Sequence, residues 1–553
     1  MVYKSPYPAV AQTDIPIHDR ILAAVKAHGA ANAQAVAFLD AETTTKKTYY
    51  KDVEQMVLAM ASGLRKLGLK PGDKALQVLP NSHEFIINLL ATWKCGGAMS
   101  NVSAIYTDYE IQMQLEDLKA KFVFTDEDRL VKVKKAVEKC PFVEKIICVK
   151  IYPKSEFPPN VVLYEDLIKT PVETFTVPTN PNTVALLPYS SGTTGNPKGC
   201  VITHRNINAM MDICLKYSET ELAPAIFGAG APATWRQETM LLLLPFYHAY
   251  GFAIMLKSVL LGTSNIIFRK FDLIVMLNRI KFFKVKILYV VPPMLVILNK
   301  DPMVPIFRVG NFLKVIISSG APAGQQVCNE LKKILPGVWF AQAFSMTETC
   351  QFVTLPMFSH GDCLETCGVL CHSLEMKLIG NEGNEVKPGE KGEICIKGPT
   401  IMTGYLNRPE VTGEVMKGGF FLTGDVGCLD GKGRLLVTGR KKELLKVNGQ
   451  PVSPMEIEDV ILLHPKVKEV AVIGVKGDDG KQVPKAFVVK KEGALHQNEI
   501  VKLVQEKLSN YKWLTGGVEF ITNMPRLPSG KINRRILAKK EEASTTESGS
   551  VEE

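Results

Sequence analysis

Tyr189-Ser190-Ser191-Gly192-Thr193-Thr194-Gly195-Asn196-Pro197-Lys198-Gly199 (YSSGTTGNPKG, 189–199) decides how the rest of the chain is read. From Ser190 to Gly199 it holds three glycines, four hydroxyl side chains and one lysine in ten residues. That composition suits a loop whose backbone and hydroxyls wrap a phosphate. It is not a Walker A loop. Counted from Gly192, Pro197 stands where the glycine before the lysine belongs, and Gly199 where the following Ser or Thr belongs. The flanks, VALLPY (184–189) and Cys200-Val201-Ile202, read as strands. A helix starts only afterwards, with Thr203 as its N-cap. Strand, loop, strand lets the segment move as a flap, free of a helix dipole. The plain alternative is a polar surface hairpin.

Outward from the loop, short apolar runs alternate with amphipathic stretches. KALQVLP (74–80), KFVFTDE (121–127), KIICVK (145–150), NIIFRKF (265–271), KILYVVPP (286–293) and KVIISSGAP (314–322) read as buried strands, and SHEFIINLLATWKCGG (82–97) as a helix that stops at two glycines. The alternation predicts α/β layers with parallel sheets. After about residue 390 the texture changes to antiparallel strands around glycine turns, GEICIKG (392–398) and RLLVTGRK (434–441). A compact α+β unit follows, with strands at 469–475, 485–491 and 518–524. The expected division is 1–438, 439–540 and an acidic, hydroxyl-rich tail, 541–553, read as disordered.

Composition narrows the function classes. The chain has 553 residues, 46% apolar and 22% charged, so it reads as a globular protein of more than one domain. Its formal charge of +10 comes from scattered basic residues, which leaves no nucleic-acid footprint. The twelve cysteines show no framework pattern and read as reduced thiols. Cys363, Cys367 and Cys371 do not match a common zinc spacing. MLLLLPFYHAYGFAIML (240–256) approaches a membrane span in length, but Pro245 and His248 interrupt it; a strand, a loop and a buried helix is the reading. With no signal peptide and no C-terminal Ser-Lys-Leu, a cytoplasmic protein is expected.

The remaining motifs come in order: PFYHAYGF (245–252), SSGAP (318–322), AQAFSMTET (341–349), GEICIKGPTIMTGYLNRPE (392–410), FLTGDVG (421–427), TGRKKELLKVNGQPVSPMEIE (438–458) and PRLPSGKINRR (525–535). Together with 189–199 the set resembles the adenylate-forming superfamily. That group includes acyl-CoA synthetases, 4-coumarate–CoA ligases, firefly luciferase and nonribosomal peptide adenylation domains. The likeness covers roughly residues 30–540. It implies a large multi-subdomain N-terminal adenylation domain, with layered αβ sheets and a small β-barrel-like subdomain, and a small mobile α+β C-terminal domain. It also implies a two-step reaction with ATP, Mg²⁺ and coenzyme A. A carboxylate attacks the α phosphate to give an acyl-adenylate, and a thiol then displaces AMP.

The resemblance assigns roles residue by residue. Ser190, Ser191, Gly192, Thr193, Thr194, Gly195 and Lys198 would hold the departing phosphates, with Thr193 also near the metal. Thr347 would contact the α phosphate, and Glu348 would ligate Mg²⁺, which favours hard oxygen donors. Phe344 replaces the usual tyrosine against adenine, Gln342 would also help bind the nucleotide, and Gly320, Ala321 and Pro322 would lie beneath the base. Gly320 and Pro322 also read simply as turn residues. Asp425 would accept the ribose hydroxyls, which requires an acceptor-only group, and Arg440 would reach the ribose. Lys531 would bridge the substrate carboxylate and the α phosphate, although alone it reads as a solvated loop lysine. For the second step, a hinge near 439–441 would bring Lys446 and Gly449 to the site. His248 would gate the thiol tunnel; the bland reading is a core histidine. Tyr247, Tyr250, Ser345, Gln351 and Phe352 would form the acyl pocket. Ser345 stands where relatives have a glycine, as does Ala343, so a reshaped pocket is expected and the acid is left open.

The expected partners are a small carboxylic acid, ATP and coenzyme A, with no nucleic acid and no transmembrane segment, in a monomer or weak homodimer. Two other readings stand beside the ligase. One is a luciferase-like enzyme or one with a different acceptor. The other is a catalytically weak or inactive descendant that binds nucleotide or acyl ligand.

Overall fold

The computed structural model describes the chain except residues 154, 191–196, 324, 361–364, 381–382, 388, 442–444, 448–449, 478–481, 509, 528–529 and 549–553. Its centre is a largely parallel sheet in which Lys74–Val78 pairs with Ala98–Asn101 on one side and Phe122–Asp126 on the other. Lys145–Val149 and Val161–Leu163 extend it. Strands buried on both faces are largely apolar, which makes these runs legible despite buried polar residues such as Gln77 and Thr125. Lys198–Thr203 joins antiparallel to Val184–Leu186, and Tyr189–Ser190 folds back on it with Ser190 opposite Lys198. The flanks of the opening stretch are therefore strands. Thr203 caps the next helix, His204–Tyr217, by accepting from Asn206 N–H while Asn206 bonds back.

Two smaller sheets sit beside the first. One orders Thr239–Leu242, Ser264–Ile267, Val36–Asp40 and Lys47–Tyr49; the other is the parallel set Ile287–Val290, Val315–Ser318 and Trp339–Gln342. The apolar run at 240–256 resolves into a strand, a turn and the buried helix Ala249–Leu261. Among the described residues no helix is long and apolar enough to cross a membrane. The antiparallel subdomain is a six-stranded sheet whose middle is Glu375–Ile379, Gly392–Lys397 and Phe420–Leu429, with Leu435–Arg440 paired to the last of these.

A separate core then begins. Leu435 packs in the N-terminal core, whereas Leu445, Val447, Val452 and Ile457 pack with Val470, Val488 and Val504 in another. This C-terminal unit is the sheet Val467–Lys476, Gln482–Lys490 and Val518–Phe520 with the helices Pro454–Leu462 and Gln497–Lys507. One expectation is corrected: the helix Arg534–Ser548 runs well into the tail read as disordered. Leu537 is buried in the C-terminal unit and Lys485 pairs with Glu541 at 2.5 Å, so the acidic stretch begins on an anchored helix.

Candidate active site

The carboxyl ends of parallel strands open onto a cleft of about 1980 Å³ between the N-terminal body and the C-terminal unit, the usual place for a ligand in open α/β sheets. Val315–Ser318 delivers Gly320, Ala321 and Pro322 to its wall, and Trp339–Gln342 delivers Phe344 and Ser345. Gly320 has φ +88°, so its glycine is required by the turn. Gln342 is buried beneath: its Oε1 accepts from Ala323 N–H at 2.8 Å and its Nε2 donates to Ala323 C=O at 3.3 Å. It stitches the 320–323 turn to the neighbouring strand and acts by positioning. Ser319 Oγ lies 2.8 Å from Ser345 Oγ and donates to Ala343 C=O at 2.8 Å. The added hydroxyl of Ser345 thus belongs to a local network.

Asp425 and Arg440 face each other on paired strands, and both line the cleft. Arg440 Nε reaches Asp425 Oδ1 at 3.0 Å, and Asp425 is only 5% exposed. The pair presents one carboxylate and one guanidinium to the same opening, which suits a polyol next to an anion.

His248 and Tyr247 come from the turn after Thr239–Leu242, and Tyr250 from the first turn of the following helix. His248 is the helix N-cap: Nδ1 accepts from Tyr250 N–H at 3.3 Å. That bond needs a lone pair on Nδ1, so the neutral ring carries its proton on Nε2. Burial, assisted by the charge of Lys531, lowers its pKa to about 4. Lys531 enters from the C-terminal unit and lines the same cleft.

A second cluster forms at the base of the phosphate-type loop. The Lys198 ammonium lies 5.5 Å from the Tyr405 ring centre, and Tyr405 donates its hydroxyl proton to Glu348 Oε1 at 3.0 Å. Burial and the Glu348 charge push the Tyr405 phenol far up. Glu348 is buried, and its Oε2 has no protein hydrogen-bond partner among the described residues. One buried carboxylate with an open oxygen beside a phosphate-type loop fits Mg²⁺, which keeps few protein ligands. Thr347 is half-buried on the same hairpin turn.

The cleft therefore gathers Tyr247, His248, Tyr250, Gly320, Ala321, Pro322, Phe344, Ser345, Asp425, Arg440 and Lys531. Gln351 and Phe352 are buried behind its wall, with the Phe352 ring edge-on to Tyr250 at 5.7 Å. Ser191, Gly192, Thr193, Thr194, Gly195 and Gly449 lie outside the described residues; Lys446 sits on the strand Leu445–Val447, but its side chain lies outside them too. Sequence reasoning missed Tyr405, although Gly404-Tyr405 stood in a quoted motif.

Comparison with known proteins gives one family. The family described as AMP-binding enzyme matches residues 25–406, and its C-terminal domain matches 456–531. Acyl-CoA synthetase 7 of Caenorhabditis elegans is 32% identical over 95% of this chain and 96% of its own length. 4-Coumarate-CoA ligase 1 of Narcissus pseudonarcissus is 30% identical over 89% of each. The crystal structure of an anthranilate CoA ligase with anthranoyl-AMP superposes with a TM-score of 0.84 at 21% identity, covering 98% of this chain and 99% of that one. At that identity the likeness shows the fold.

Proposed function

The chain belongs to the AMP-binding enzyme family, and on that premise we propose that it is an AMP-forming acyl- or aryl-CoA ligase. One observation carries the reading. Lys531 from the C-terminal unit, His248 from the N-terminal body and the Asp425–Arg440 pair all meet in one cleft.

In the first half-reaction a carboxylate oxygen of the acid forms a bond to the α phosphorus of ATP, and the bond to pyrophosphate breaks. Negative charge gathers between acid and phosphate. Lys531 supplies a fixed cation there, where a buried charge acts most strongly. Asp425 and Arg440 hold the ribose, and Phe344 covers the adenine above the turn of Gly320, Ala321 and Pro322. Lys198 and the loop 191–196 receive the leaving phosphates. Glu348 would hold Mg²⁺, which when bound would neutralise phosphate charge. The neutral His248 ring offers Nε2–H to the acid carboxylate.

In the second half-reaction the sulfur of coenzyme A bonds to the acyl carbon and AMP leaves. Lys531 occupies the approach in the present pose, so residues 439–540 rotate as a mobile domain. Lys446 and Gly449 then replace Lys531 at the site.

The test is coenzyme-A-dependent AMP release across short, medium and long fatty acids, benzoates and cinnamates, together with ATP–pyrophosphate exchange. Activity on at least one class supports the reading. Absence of exchange with every acid sinks it in favour of a binding protein.

A further inference from the structure

The helix that His248 caps carries one charge the ligation chemistry does not use. Lys257 lies among Met255, Leu256 and Val259 and is only 3% exposed. Its ammonium donates to the Tyr289 hydroxyl, and among the described residues no carboxylate lies in ion-pair range of it. Burial pulls the group down to about 8. A buried ammonium with one neutral acceptor is expensive, and a hydrophobe of similar volume fills such a site at no loss. A second unspent donor lies on the strand packed against the same helix. Gln351 is 1% exposed, its Nε2 has no hydrogen-bond partner among the described residues, and its backbone holds φ +117°, a region that side-chain-bearing residues rarely adopt.

Tyr250 connects this pocket of donors to the cleft. It lines the cleft wall and lies two turns before Lys257 on the same helical face. Its ring meets Tyr289 and Phe352 edge-on at 6.3 and 5.7 Å. A lysine on a helix leans toward the N-terminus, here toward Tyr250. Tyr250 on the cleft wall, Tyr289 against its ring and Lys257 over the Tyr289 ring form a continuous chain of contacts from cleft to ammonium.

We propose that the acyl pocket continues past Tyr250 and Phe352 to Lys257, Tyr289 and Gln351, and that its acid carries a second carboxylate at the far end. The inference rests on the ligase reading. The distal carboxylate accepts from the Lys257 ammonium, the Tyr289 hydroxyl and the Gln351 amide, which gives the unpartnered amide an acceptor and the ammonium an anionic one. The rings of Tyr250 and Phe352 turn aside to admit the chain. Helix rise separates His248 and Lys257 by about 13 Å, and the lean of the lysine shortens this by roughly one turn, which suits an acid of about eight carbons.

The experiment compares octanedioic with octanoic acid in coenzyme-A-dependent AMP release, using the full chain. The native protein is expected to favour the diacid in kcat/KM by roughly tenfold or more, because buried donors reject a partner that leaves them unpaired. Lys257→Met is expected to invert that ratio and to melt no lower than the native chain. Gln351→Leu, which keeps the ammonium, lowers the ratio without inverting it and serves if Lys257→Met does not fold. A native ratio at or below one overturns the inference, as does a ratio that neither variant moves. Pyrophosphate exchange with octanoic acid but not with the diacid overturns this inference alone; no exchange with any acid overturns the ligase reading with it.

Discussion

Lys531 and His248 line one cleft from two separately cored units, and the charge of the lysine adds to burial in lowering the histidine pKa to about 4. On the proposed ligase reading this pose is the one suited to adenylation, with the cation beside the acid.

Removing that cation separates the two halves of the reaction. Lys531→Ala is expected to lower ATP–pyrophosphate exchange by about 10²–10³-fold, the loss seen when one preorganised charge-stabilising donor is deleted. Thioester formation from a supplied acyl-adenylate should fall far less. Equal losses in both assays would show that Lys531 acts outside adenylation.

His248 has two separable jobs. As N-cap it accepts from Tyr250 N–H, and as a neutral ring it offers Nε2–H to the cleft. His248→Asn keeps a capping acceptor, whereas His248→Ala loses it and about 1 kcal/mol of stability. The asparagine variant should melt near the native temperature yet remain impaired in turnover. Because the histidine pKa lies near 4, its titration should leave kcat flat between pH 6 and 8. An acid limb centred near 6.5 that disappears in His248→Asn would contradict this.

The Asp425–Arg440 pair predicts coupled losses. Asp425 is buried and holds Arg440 Nε at 3.0 Å, so Asp425→Ala removes the proposed ribose acceptor and leaves a guanidinium without its carboxylate. A rise in KM for ATP of about 10–100-fold is expected, the worth of a charge-assisted bond. Arg440→Ala on top of it should add little, because contacting residues are non-additive. Full additivity of the two losses would place them in separate functions.

How much of this was legible follows from what each residue contacts. The parallel strands announced themselves because both faces are buried. The turn at Gly320 was open to a structural reading, and its φ of +88° shows that the turn favours glycine there. Histidine is an uncommon N-cap, so the cap at His248 left no signal. Tyr405 reaches Glu348 across long sequence separation, brought there by pairing of Gly404–Tyr405 with the strand after the loop and by the Met402 N–H bond to Glu348 C=O. Lys257 stands just past the apolar run at 240–256, which was read as a strand, a loop and a buried helix, and sequence alone does not show that its ammonium is buried. The helix at the start of the tail is held by Leu537 and Lys485, contacts that composition does not carry.

The N-terminal helix contributes an acid sensitivity remote from the cleft. His18 and His204 meet ring to ring at 5.4 Å, and neither His204 nitrogen has a hydrogen-bond partner among the described residues. Burial lowers His18 to about 4 and His204 to about 3. Folded pKa values below the unfolded one mean that the unfolded chain binds more protons in acid. The contribution is complete above about pH 6.5 and is lost as pH falls toward the folded values, at about 1.4 kcal/mol per pH unit for each group. His28, His83, His248 and His372 are lowered too and share the slope. His204→Phe keeps the ring packing and removes one proton from that uptake. Its thermal midpoint should fall less than the native one between pH 6.5 and 5, while the two agree or the variant is higher at pH 7.5. Parallel pH profiles would show that His204 is already protonated or solvated in the folded chain.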